Sequence, residues 1–122
     1  MGVQKKKEKV NELKGWDDPV GAREFLRAIR PVINETGFEI GLTGSVLFDG
    51  WSEQGMDLII YPRNSSDYKL SLLYSTLRAY GMRCVMARST LATAWRLKGS
   101  TDTKHVEIWS YEGRRIDLFF LR

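Results

Sequence analysis

Aspartate is depleted from β-strands, because its short carboxylate side chain competes with the strand ladder for backbone hydrogen bonds. This chain has two such residues. Asp57 lies within Met56-Asp-Leu-Ile-Ile-Tyr61 and Asp117 within Arg115-Ile-Asp-Leu-Phe-Phe120, segments otherwise built from strong strand formers. Successive side chains along a strand point to opposite faces. Met56, Leu58 and Ile60 therefore share one face and Asp57 and Ile59 the other; Ile116, Leu118 and Phe120 likewise oppose Asp117, Phe119 and Leu121. If the two strands are neighbours in register, both carboxylates project from the same face of the sheet.

Around these segments the pattern predicts a single α+β domain. Asp17-Asp18-Pro19 is a helix start, a capping carboxylate followed by proline at the first helical position. Ala22, Phe25, Leu26, Ile29 and Ile33 follow at helical spacing, with Pro31 expected to kink or break the helix and Gly37 to close it. Phe38 to Leu42 reads as a strand running into Thr43-Gly44-Ser45, and Val46 to Trp51 as a helical turn. A strand over Met56–Tyr61 follows. Asn64-Ser-Ser-Asp67 is expected to cap a second helix with Leu70, Leu73, Leu77 and Tyr80 inward and Gly81 at its end. The remainder reads as β: Arg83 to Ala87, an alternation at Leu91, Thr93, Trp95 and Leu97, and a hairpin of His105–Tyr111 and Arg114–Leu121 about Glu112-Gly113. The expectation is a mixed sheet with helices packed on one face. Residues 1–16 read as a basic polar leader and 17–122 as the domain.

Length and composition narrow the function classes. A chain of 122 residues supports one core but not two. No apolar run approaches the roughly 20 residues that span a bilayer, and no apolar segment follows the N-terminal lysines. A cytoplasmic protein with no membrane partner is expected. The single cysteine, Cys84, excludes an internal disulfide and a cysteine-rich zinc site, and the single histidine, His105, excludes multi-histidine metal sites. The net charge of +4, partly from Lys5-Lys6-Lys7 and Lys9, reads either as a solubilising leader or as an attraction for nucleic acid.

Two readings of the aspartates follow. Two close carboxylates repel each other, and a divalent cation removes that penalty; Mg²⁺ favours one or two carboxylates with water and phosphate oxygens. Alternatively each aspartate pairs with Arg114, Arg115 or Arg63. Gly44-Ser45 has two readings as well. Glycine lets a backbone approach a ligand closely, and a turn into a helix offers N–H groups to phosphate; or the pair simply ends a strand, with Ser45 capping a helix.

Taken together, Thr43-Gly44-Ser45, Asp57-Leu58 and Gly113-Arg-Arg-Ile-Asp117-Leu118 resemble the motifs of the nucleotidyltransferase superfamily typified by DNA polymerase β, in particular its minimal single-domain bacterial members. The resemblance spans roughly residues 18 to 121 but is carried by these three short motifs. It implies a protein that binds a nucleoside triphosphate with Mg²⁺, or Mn²⁺ in its place, and transfers a nucleoside monophosphate to an acceptor hydroxyl on nucleic acid or protein. Asp57 and Asp117 would hold the metal, Asp117 would help deprotonate the acceptor, and Gly44 and Ser45 would hold the β- and γ-phosphates. The chain departs from the pattern at Gly55, where the family has its first metal-binding carboxylate. Glu53 could replace that carboxylate or be a solvated loop residue, and Asp49 is a more distant substitute. The departure gives a second reading: a catalytically degenerate member of the fold acting as a binding or regulatory module for nucleic acid or a partner protein. The chain has little room for an acceptor-selecting helical domain, which implies a partner subunit or no transfer.

The remaining residues carry less. Arg23, Arg27 and Arg30 form a helical stripe, read as a solvated face or a track for phosphates. Trp51 is expected to pack in the core or anchor a loop, with stacking on a base as the alternative. Trp95 and Trp109 are expected on a buried sheet face, His105 in a structural role, and Cys84 as a small buried hydrophobe.

Overall fold

The computed structural model describes residues 9–64, 69–87 and 105–121, with Ser45 and Phe48 described by their backbone alone. Helix α1 spans Pro19–Asn34; the Asp18 carboxylate accepts the Val20 N–H at 3.1 Å, and Pro19 fills the first position, where no N–H is needed. The helix runs through Pro31 instead of breaking there. Ile29 and Ile33, flanking the proline, are both buried in the core. Their burial, about 1.5–3 kcal/mol each, offsets the roughly 3 kcal/mol that an interior proline costs. Gly37, in the left-handed region, turns the chain into β1, Phe38–Thr43.

A short helix α2, Gly44–Asp49, leads to β2, Met56–Pro62. Helix α3, Leu70–Tyr80, buries Leu73 and Leu77, with Leu70 and Tyr80 partly covered, and ends at Gly81. Strand β3 is Met82–Ala87, β4 His105–Tyr111 and β5 Arg114–Phe120. Glu112 and Gly113 both adopt positive φ, 51° and 76°, the two-residue hairpin geometry expected from the sequence. Residues 65–67 of the expected second-helix cap and the alternation from Leu91 to Leu97, with Trp95, lie outside the described residues.

The sheet has the order β1-β2-β5-β4-β3. Strands β2 and β5 are parallel, and the other neighbouring pairs are antiparallel. The architecture is therefore α+β with a mixed sheet, as expected. One sheet face carries Phe38, Ile40, Met56, Leu58, Ile60, Trp109, Ile116, Leu118 and Phe120, all buried. Both long helices cover that face. Phe25 of α1 meets Tyr111 of β4 at 4.9 Å between ring centroids, and Tyr74 of α3 stacks on Trp109 at 5.9 Å. The opposite face holds Asp57, Ile59, Tyr61, Arg115, Asp117 and Phe119, none of them fully buried, and neither α1 nor α3 packs on it. No described helix is long and apolar enough to cross a membrane.

Lys14 and Trp16, before α1, are part of the packed body. Lys14 donates to the Gly113 carbonyl and accepts from the Arg115 N–H, each at 2.8 Å, while Trp16 exchanges two backbone hydrogen bonds with Ser52. The Trp16 ring is buried against Phe25. The expected boundary between leader and domain, at residue 17, thus falls inside the core. A lone aromatic after Lys14-Gly15 carries no periodicity that could have announced this.

Candidate functional site

Strand β1 ends at Thr43, and Gly44, at φ 73°, turns the chain into α2 and back towards β2. The antiparallel register pairs Thr43 with Asp57, and the parallel register pairs Asp57 with Asp117. Three side chains thus form one row across the open face, on strands about 4.8 Å apart. The neighbour relation on which the sequence argument depended is therefore present, and the two aspartates share a face. Gly44 belongs to the same place: a Cβ there would run into the Asp57 carboxylate. Ser45 is the second residue of α2, next to Gly44; the role expected of its hydroxyl lies outside the described side chains.

The two carboxylates have different surroundings. Asp117 accepts two hydrogen bonds from one guanidinium, Arg115 Nε to Oδ1 at 2.7 Å and Nη2 to Oδ2 at 3.1 Å. This is the planar, two-pronged pairing that arginine makes best. Partial burial pushes the Asp57 carboxyl above the usual aspartate range, and the negative charge of Asp117 pushes it further, with Arg115 pulling the other way. Asp57 has no ion pair with Arg63, Arg114 or Arg115 within 4.0 Å. The hydrogen bonds to Asp117 hold Arg115 firmly protonated, against a smaller opposing effect of its own burial.

Gly55 explains how the arginine fits. It precedes β2 on the side of Asp57, and a Cβ there would lie 3.0 Å from Arg115 Cγ and 3.2 Å from the Arg115 carbonyl oxygen. The side chain and carbonyl of Arg115 thus crowd the place where any side chain at position 55 would begin. This donor set does not fit the divalent metal expected from the resemblance. One of its two carboxylates has both oxygens engaged by a cation, the third carboxylate is absent, and a fixed positive charge sits beside the pair. Neither Glu53 nor Asp49 makes up the loss: among the described residues no three His, Cys, Asp or Glu side chains gather as metal ligands would. Both line a shallow depression with Trp51, Ser52 and Gln54 on the loop after α2. That loop is held by the Trp16–Ser52 hydrogen bonds and by Ser52 Oγ, which accepts the N–H groups of Gln54 and Gly55 at 3.2 and 3.3 Å.

Several other expectations are corrected or placed. Arg23, Arg27 and Arg30 are exposed on α1, across the sheet from the aspartates, and Arg30 donates to Glu39 at 3.2 Å. Trp51 is 42% exposed and not part of the core. Cys84 is exposed, not a buried hydrophobe. It sits on β3, at the edge of the sheet formed by the described strands, and partial burial and the nearby Glu107 charge push its thiol up. His105, expected in a structural role, is buried, but its partner Glu107 was missed. Glu107 is 2% exposed; its Oε2 meets His105 Nε2 at 2.7 Å and accepts Tyr74 Oη at 2.6 Å, while Oε1 accepts Trp109 Nε1 at 2.8 Å. The signal was present as His105-x-Glu107-x-Trp109, three residues on one strand face.

No family model matches the chain, and no curated protein matches it in sequence. The resemblance to nucleotidyltransferases therefore rests on the residues and the geometry described above.

Proposed function

We propose that the protein is a catalytically degenerate module of nucleotidyltransferase-like build, working by binding on its open sheet face and not by metal-dependent transfer. The observation that carries this reading is the Arg115 pair with Asp117, formed across Gly55. The likeness itself is supported by the row Thr43–Asp57–Asp117 above Gly44, which reproduces the order strand, Gly-Ser turn, acidic strand, later acidic strand. A nucleoside triphosphate is the ligand to test first; nucleic acid and a partner protein are the alternatives for the same face.

An active nucleotidyltransferase is the second reading. Asp57 favours it, as a partly exposed carboxylate without an ion pair among the described residues, beside Asp117 in register. One assay separates the two. The protein is incubated with each labelled nucleoside triphosphate, Mg²⁺ or Mn²⁺, and a pool of RNA and protein acceptors, beside an Asp57→Ala control. Calorimetry on the same samples reads binding. Binding without label transfer is the expected result. Transfer that Asp57→Ala abolishes would establish the enzyme, and neither binding nor transfer would remove nucleotides as the ligand.

A further inference from the structure

We propose that Arg115 is the resident cation of the Asp57–Asp117 site, taking the electrostatic place of a divalent metal, and that Gly55 is its partner by omission. The inference rests on the degenerate-module reading and names the residues that enforce it. Two carboxylates on adjacent strands of a half-buried face need a positive charge between or beside them. Arg115 supplies one from within the same strand, two residues before Asp117, at 2.7 and 3.1 Å. Its side chain is 30% exposed and that of Asp117 17%, so the pair is screened less than a surface pair. The route from strand to guanidinium passes over Gly55, where any Cβ would press on both Arg115 Cγ and its carbonyl oxygen. A carboxylate at position 55 and an arginine at 115 thus compete for one space and one charge role.

The exchange is testable because the backbone at Arg115 is held independently of its side chain. Its N–H donates to Lys14 and its carbonyl accepts Trp16 Nε1 at 2.9 Å. Mn²⁺ alone, with no nucleotide present, is titrated calorimetrically into the wild type and Gly55→Asp/Arg115→Ala, with thermal melts in Mn²⁺ and in chelator. The double variant removes one positive charge and adds one negative charge. It is expected to bind one Mn²⁺ at least about tenfold more tightly than wild type, a factor worth about 1.4 kcal/mol, and to melt higher in Mn²⁺. Adding Asp57→Ala should abolish the gain. If the double variant does not fold, Arg115→Ala alone should still gain affinity over wild type, while Arg115→Lys should not. Wild-type binding as tight as that of a folded Arg115→Ala protein, or no gain in any folded variant lacking the arginine, overturns the proposal. Because no nucleotide is used, failure here is distinct from failure of wild type to bind one.

Discussion

The sheet carries an acidic centre on each face, and the two are built on opposite principles. On the helix-covered face Glu107 is buried, and its oxygens meet Tyr74, His105 and Trp109. On the open face Asp57 is half-exposed beside a second carboxylate, and the neighbouring arginine bonds to Asp117. A buried carboxylate survives only when its hydrogen-bonding capacity is met within the protein. Glu107 therefore has a structural role, fixing α3 against β4. Among the described residues no ion pair engages Asp57, which leaves its bonding capacity there for solvent or a ligand. Deep burial by itself thus points away from the site, and unmet capacity points towards it.

The sharpest way to break this contrast is at Glu107. Glu107→Ala leaves the Tyr74 hydroxyl, the Trp109 N–H and His105 without their acceptor inside the core. A loss of about 3–5 kcal/mol is expected, since several buried groups lose a hydrogen-bond partner at roughly 1–3 kcal/mol each, read by urea denaturation. A loss below 1 kcal/mol would mean that the cluster is not the bolt between α3 and the sheet.

Gly44 comes next. At φ 73° any other residue is strained, and a Cβ meets the Asp57 carboxylate. Gly44→Ala should cost about 1–3 kcal/mol. Part of that cost is contact with Asp57, so Asp57→Ala should recover it, giving a non-additive double-mutant cycle. Strict additivity would show that the turn and the carboxylate do not touch in solution.

These two centres were unequally legible in the sequence. Asp57 and Asp117 stood out because an aspartate in a strand breaks the local pattern, and alternation alone set each opposite the apolar side of its own strand. Their adjacency depended on a parallel pairing of β2 with β5, a contact between segments far apart in the chain that no local signal specifies. Arg115 was named only as one of three candidate partners, since the choice among Arg63, Arg114 and Arg115 depends on that same pairing. Glu107 was invisible for another reason: charged residues alternating with apolar ones usually mark a solvated face, and only the donors from α3 and β4 reverse the sign. The α+β class, the hairpin at Glu112-Gly113 and the cap at Asp18 were legible because each is set by residues within a few positions. Pro31 does not break the helix, because helix propensity is a weak term against the burial of Ile29 and Ile33.

The smallest expected effect tests the open face directly. Burial, and then the charge of Asp117, raise the Asp57 pKa in the folded protein above the ordinary aspartate value of 3.8. The folded state therefore binds this proton more tightly than the unfolded chain does. Below pH 3.8 the group is protonated in both states and contributes nothing. As the pH rises from there through the raised folded value, the folded state loses stability relative to the unfolded, and the whole penalty remains at pH 7. Asp57→Asn removes it. The variant should melt slightly higher than wild type at pH 7, by at most a few tenths of a kcal/mol to about 1 kcal/mol because solvent screens a half-exposed group. The difference should shrink towards zero as the pH is lowered to about 4. Melting curves of both proteins across pH 4–7 measure it. A variant that melts lower than wild type at pH 7 would show that the Asp57 carboxylate already makes favourable contacts. It would then resemble Glu107, and the distinction between a structural and a receptive acidic centre would no longer hold.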